Sequence, residues 1–134
     1  MGLLEDELLW AASAGNLVNC KILLKYGIDV NTYNQNLLTP LHFAASLGNS
    51  DLCILLLNSG ANINLKDIFG RSALHFATNS GHGDICRLLI NSGADVAAKD
   101  TNGKTPLQYI PRRYKNLKNL FLPHIIKHHL LFLL

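Results

Sequence analysis

Charge is scarce in this chain: 16% of its 134 residues are charged, and no acidic residue follows Asp100. Ten glycines and four prolines are too few, beside 49% hydrophobic side chains, for a disordered or collagen-like segment. The three cysteines, an odd number, argue against a disulfide scaffold and for a reducing compartment. No apolar run reaches the ~18 residues that cross a bilayer. The apolar C-terminal stretch, residues 120–134, is interrupted by Pro123, His124, Lys127, His128 and His129. A secretory leader starts basic, whereas Glu5, Asp6 and Glu7 make this start acidic, and Asp6 stands where a myristoylation signal needs Ser or Thr. What remains is one compact domain or a short repeat array, expected inside the cell, in the cytoplasm or the nucleus.

The net charge of +3 conceals a sharp division. Residues 1–103 hold six Lys/Arg and all nine acids, while residues 104–134 hold the other six Lys/Arg and no acid. The last thirty or so residues are therefore expected to differ in role from the rest.

An internal period sets the architecture. Residues 39–67, TPLHFAASLGNSDLCILLLNSGANINLKD, match residues 72–100, SALHFATNSGHGDICRLLINSGADVAAKD, at 15 of 29 positions under a shift of 33. The same shift aligns Ala11, Gly15, Cys20, Leu23 and Gly27 with Ala44, Gly48, Cys53, Leu56 and Gly60, and Gly70–Leu74 with Gly103–Leu107. Within each unit, Thr39-Pro40, Ser72-Ala73 and Thr105-Pro106 place a hydroxyl at a helix N-cap, twice with Pro at the first helical position. Ala44, Ala45 and Ala77 give the first helix a small face, and Gly48 and Gly81 end it. The second helix carries the bulk: Leu52, Cys53, Leu55 and Leu56, then Ile85, Cys86, Leu88 and Leu89. Two short helices cannot bury an apolar face alone, so the units must stack.

This pattern resembles the ankyrin repeat, carried by Thr39-Pro40-Leu41-His42-Phe43-Ala44-Ala45, Gly48-Asn49, Leu55-Leu56 and Gly60-Ala61-Asn62-Ile63-Asn64. The resemblance implies an all-α ankyrin solenoid of about four 33-residue helix-turn-helix units joined by β-hairpin loops. Residues 1–33 are read as a degenerate capping repeat, 34–66 and 67–99 as full repeats, and 100–134 as a divergent repeat ending in a basic and then apolar tail.

No residue set carries catalysis, a cofactor or a metal site, so the expectation is a non-enzyme. Cys20, Cys53 and Cys86 recur at one core position per unit; neighbours would lie about 10 Å apart, beyond disulfide reach. His42 and His75 recur three residues after the N-cap without a nucleophile or carboxylate recurring beside them. The resemblance implies that they bond the cap hydroxyl and loop backbone, tying adjacent units; His82 reads likewise as structural. His124 and His128 share a helix face but have no nearby acid or third ligand. Asn31 and Asn64 are expected to bond their own turn backbone. The resemblance adds that both are candidate substrates of an intracellular asparaginyl hydroxylase, whereas Ala97 removes that site from the third unit.

Binding is expected at the hairpin tips and at the exposed turn of each first helix, on the side the resemblance makes concave. The tip positions are Tyr33, Lys66 and Lys99; Gln35, Ile68 and Thr101; Asn36, Phe69 and Asn102; and Leu38, Arg71 and Lys104. Ser46, Leu47, Asn79 and Ser80 are the first-helix candidates. Ile68, Phe69 and Arg71 stand out, because exposed aromatic and Arg side chains dominate binding energy. Leu37 occupies the hairpin position held by Gly70 and Gly103, so that turn is expected to be remodelled, with Asn36 taking the left-handed conformation.

After Ile110 the period fails. Pro111 interrupts a first helix, and the run Arg112-Arg113-Tyr114-Lys115-Asn116-Leu117-Lys118 replaces the next turn. The tail is expected to fold back as a divergent cap, since a terminal unit must shield the core. Residues 122–132, LPHIIKHHLLF, look like the end of a SOCS box, which implies an alternative role as a cullin-type ubiquitin-ligase adaptor with elongin and cullin partners. The upstream Leu-x-x-x-Cys core of that box has no counterpart, Cys86 being the last cysteine. The leading expectation is an intracellular protein–protein interaction module. The acidic repeats, and a basic cluster without a reading motif, point away from nucleic acid, and the tail's lack of a polar face points away from a membrane.

Overall fold

The computed structural model of the chain describes residues 2–125. Three antiparallel helix pairs follow one another: α1 (Leu3–Ser13) with α2 (Leu17–Lys25), α3 (Pro40–Leu47) with α4 (Ser50–Asn58), and α5 (Ala73–Ser80) with α6 (Gly83–Asn91). Two 3₁₀ segments close the order, Pro106–Tyr109 and Arg112–Leu120. Helices of eight to eleven residues are marginal in isolation, so tertiary stacking must hold them. The inner layer runs α1, α3, α5 and Pro106–Tyr109, each packed on the next, while α2, α4, α6 and Arg112–Leu120 form the outer layer.

Small residues set the inner-layer spacing: Ala12, Ala44, Ala45 and Ala77 are fully buried. Thr78 replaces the second alanine of its pair, and its hydroxyl donates to the His75 carbonyl at 2.9 Å, which satisfies the one polar atom it brings inside. Leu52, Cys53 and Leu56 of α4 and Ile85, Cys86 and Leu89 of α6 fill the space between the layers. Burial pushes the thiol of Cys20 up to about 11 and those of Cys53 and Cys86 up to about 12, as expected of packing residues rather than nucleophiles.

The connections between pairs are tight turns without strands among the described residues, where hairpins were expected. Each tip repeats one bonding scheme. In Asp67–Arg71 the Asp67 N–H donates to the Arg71 carbonyl and the Gly70 N–H to the Asp67 carbonyl, both at 2.9 Å. Asp67 Oδ1 accepts from the N–H groups of Phe69 and Arg71. Asn34 does the same for Asn36 and Leu38, and Asp100 for Asn102 and Lys104.

That scheme corrects the expectation at the first tip. The turn is not remodelled, and Asn36 does not take the left-handed position; Leu37 does, with φ of 59°, beside 72° and 75° at Gly70 and Gly103. The Asn34 carboxamide holds the N–H groups of residues 36 and 38, so the backbone reversal falls on position 37 whatever side chain is there.

The terminal segment breaks at Pro111 as the sequence requires: Ile110 and Pro111 are extended (ψ of 119° and 148°). Phe121, at 1% exposure, closes the core, and Leu120 packs partly beside it. The Tyr114 ring occupies the space a side chain at Gly81 would fill, and Leu117 lies 2.8 Å from where a Gly83 Cβ would stand. Leu122 and Ile125 are exposed. The expectations placed on residues 126–134, including His128 and most of the SOCS-box-like stretch, lie outside the described residues.

Candidate functional site

The inner helices are positioned by their N-caps. At the start of α3, the Thr39 N–H donates to His42 Nδ1 at 3.0 Å, the Thr39 hydroxyl lies 2.9 Å from the same nitrogen, and Nε2 lies 2.9 Å from the Arg71 carbonyl of the following turn. His75 repeats the arrangement with Ser72 and the Lys104 carbonyl, at 3.1, 2.9 and 3.0 Å. A carbonyl only accepts, so Nε2 carries the hydrogen; a backbone N–H only donates, so Nδ1 must be bare. Both rings are therefore neutral and structural. Burial is the main cause that lowers the pKa of each below its ordinary 6.5, opposed by the carbonyl bond. The edges of these rings rest on Phe76 and Tyr109 of the next inner element, with centroids 5.4 and 5.7 Å apart.

Asn31 and Asn64 do not bond their own turns as expected. Asn31 Oδ1 accepts the Asn62 N–H and Asn64 Oδ1 the Asp95 N–H, each at 2.8 Å and each in the following loop. The local turn bonds come from Asp29, Asn62 and Asp95 instead. His82 is a third tie: its Nε2 lies 3.1 Å from the Ser46 carbonyl and its ring packs on Gly48.

On the turn side of the inner layer, Arg71, His75, Phe76, Asn79 and Tyr109 line a small open cleft. The Arg71 guanidinium lies 4.7 Å from the centre of the Phe76 ring and 5.2 Å from that of Phe69. Arg71 is not the free side chain expected: it is half-buried, with Nε 2.9 Å and one terminal nitrogen 2.8 Å from Oδ2 of the buried Asp67. In the next tip Tyr109 donates to Asp100 Oδ2, which holds the Asp100 carboxyl below its usual range and raises the phenol. Lys104 Nζ lies 5.6 Å from the Tyr109 ring centre.

A second open cleft is lined by Tyr33, Leu37, Thr39, Leu65 and Lys66. The structure thus brings Arg71 and Asn79 together in one cleft and Tyr33 and Lys66 in another. Gln35, Asn36, Ile68, Phe69, Lys99, Thr101, Asn102 and Lys104 are exposed along the tips, and Leu38 is half-buried. Neighbouring tips are joined by the Ile68 N–H donating to the Asn36 carbonyl and the Thr101 N–H to the Phe69 carbonyl, both at 3.0 Å. Ser46, Leu47 and Ser80 lie outside both clefts, with Ser46 and Leu47 exposed and Ser80 half-buried.

Sequence reasoning missed the aromatic rungs. Trp10, Phe43, Phe76 and Tyr109 recur at a spacing of 33, one per inner element, and Phe76 and Tyr109 form the cleft wall. The period already used for Cys and His would have found them. Among the described residues no group of three or more His, Cys, Asp or Glu could hold a metal ion, and no helix is long and apolar enough to cross a membrane.

The family model for ankyrin repeats, in three copies, matches residues 5–67 and 54–125. The chain belongs to the ankyrin-repeat family, whose members are typically non-catalytic modules that bind other proteins. No curated protein matches the chain.

Proposed function

We propose that the chain binds its partner protein on the face formed by the turn tips and the inner helices, with Tyr33, Lys66, Ile68, Phe69, Arg71 and Asn79 as principal contacts. The observation that carries this reading is the cleft of Arg71, Phe76, Asn79 and Tyr109 beside the exposed Ile68 and Phe69. Large apolar and Arg side chains bordering a preformed cleft are what a binding hot spot needs. The outer layer supplies structure and the tips supply choice, because the core positions repeat while the tip positions differ from unit to unit.

The test is capture of partners from a cell lysate by the full chain and by Phe69→Ala, Asn79→Ala and Arg87→Ala variants, each checked for helicity. Arg87 is exposed on outer-layer α6 and serves as control. Partners lost with F69A and N79A but kept with R87A support the reading; the reverse pattern sinks it. Arg71→Ala is unsuitable, because it also strands the buried Asp67. The ubiquitin-ligase adaptor reading draws support only from the sequence likeness of residues 122–132, and the adjoining Phe121 is committed to the core.

A further inference from the structure

We infer that the occupant of this groove is an extended acidic segment of a partner protein, with carboxylates about three residues apart. The inference rests on the docking face proposed above and adds the chemistry of what docks. Every charged side chain that the tips offer to solvent is basic: Lys66, Arg71, Lys99 and Lys104. The two acids in the same tips, Asp67 and Asp100, are 4% and 7% exposed and already engaged. Asp67 is taken up by two backbone N–H groups and Arg71, and Asp100 by two backbone N–H groups and Tyr109. The exposed acids lie elsewhere, Glu7 on α1, Asp51 and Asp84 on the outer helices, and Asp29 and Asp95 in the loops that follow α2 and α6. A chain whose first hundred residues are net acidic has thus concentrated cations along one ridge, which favours an anionic partner.

Spacing narrows the class. Stacked helices lie about 8–10 Å apart. An extended peptide in the polyproline-II conformation advances about 3.1 Å per residue with three residues per turn, so every third side chain faces the same way and three residues span one repeat. Carboxylates at every third position would meet Arg71 and then Lys104, with Lys99 and Lys66, whose ammonium also donates to the Lys99 carbonyl at 3.0 Å, beside them. Intervening apolar side chains would rest against Ile68 and the exposed part of Phe69. Arg71 keeps one terminal amino group free of hydrogen bonds among the described residues. A single-stranded nucleic acid would need open ring faces for its bases, and Arg71 already lies over Phe76 and Lys104 over Tyr109.

The experiment titrates the full chain with a labelled peptide of Glu-Leu-Ser repeated four times. Comparison ligands are the same peptide with Lys for Glu, an isomer with its four Glu residues adjacent, and an oligothymidine. The readouts are fluorescence anisotropy at low and high salt and amide shifts. The expected result is that the period-three Glu peptide binds at least about tenfold more tightly than the Lys peptide and more tightly than the isomer. Binding should weaken with salt and shift the amides of Phe76, Asn79 and Tyr109, and Lys99→Glu/Lys104→Glu should abolish the preference. The inference is overturned if the Glu peptide does not bind, if oligothymidine or the isomer is preferred, or if the preference is lost in Arg112→Glu/Lys115→Glu instead. A peptide that shifts groove amides regardless of charge overturns the acidic chemistry alone and leaves the docking face standing. Loss of lysate partners with R87A but not with F69A removes the docking face itself.

Discussion

Protonation of His42 and His75 is the perturbation whose consequence the geometry defines most sharply. Each ring must stay neutral in the native state, because Nδ1 faces a backbone N–H and Nε2–H faces a carbonyl. In the unfolded chain both protonate near the ordinary value of 6.5, whereas in the native state burial holds that protonation to lower pH. Below about 6.5 the unfolded state therefore binds more protons, so stability falls as pH falls. The loss continues until the native rings themselves protonate, and above that window the two groups add no pH dependence. The limiting slope is about 1.4 kcal/mol per pH unit for each histidine, so about 2.7 for the pair. Against a typical stability of about 5–15 kcal/mol, one pH unit is a large share. Asp67 and Arg71 face His42, and Asp100, Lys66 and Asp67 face His75. Asp100 is held below the ordinary carboxylate value, so its own contribution, lost as pH falls through that lower value, lies in a more acidic window.

Position 108 supplies the control. There Gln108 stands in the histidine register, and its Oε1 accepts the Thr105 N–H at 2.8 Å without titrating. His42→Gln and His75→Gln should each cost about 1 kcal/mol at neutral pH for the lost bond to the next turn. Each should also remove about half of the acid slope, and the double variant nearly all of it. Urea unfolding monitored by circular dichroism at several pH values between about 5 and 7.5 gives these slopes directly. If the double variant loses stability on acidification as steeply as the parent, the neutral-histidine argument is wrong.

Leu37→Gly should stabilise the chain by about 0.5–1 kcal/mol in urea melts, since the left-handed conformation costs a non-glycine residue about 1–2 kcal/mol and added unfolded-state freedom returns part of that. Gly70→Ala should do the opposite: its Cβ would stand 3.0 Å from the Thr101 nitrogen at φ of 72°. Phe121→Ala should cost about 3–5 kcal/mol, with hydrogen exchange rising first in residues 106–120; uniform acceleration across the chain would count against a local closing role. Cys20, Cys53 and Cys86, each fully buried, should resist a thiol-specific disulfide reagent in the native state and react together once urea unfolds the chain.

The parts of the fold legible in the sequence are those that recur. Thr39-Pro40, Ala44-Ala45, Cys53 and Gly48 have counterparts 33 residues on, and a repeated position with one composition admits few physical explanations. What the sequence concealed are relations between units. Asn31 looks like a turn residue because its neighbourhood is a turn, yet its partner is the Asn62 N–H. Arg71 looks like an exposed cation until Asp67 is seen to be buried beneath it. At Leu37, residue preference pointed to Asn36, but the bonds from Asn34 to residues 36 and 38 outweigh preference and fix which residue reverses. The aromatic rungs were visible in the period and overlooked because an aromatic inside a signature reads as core.

The ties that join one helix pair to the next all have short reach along the chain. His42 contacts a residue 29 positions on, Asn31 one 31 positions on, and His82 one 36 positions back. Folding therefore never has to close a long loop, and its rate should depend on one junction rather than on the length of the array. During synthesis each pair can dock as soon as the next thirty-odd residues leave the ribosome, with its predecessor as template. Phe121 emerges after all of these junctions, so the core it joins is already assembled when its burial begins.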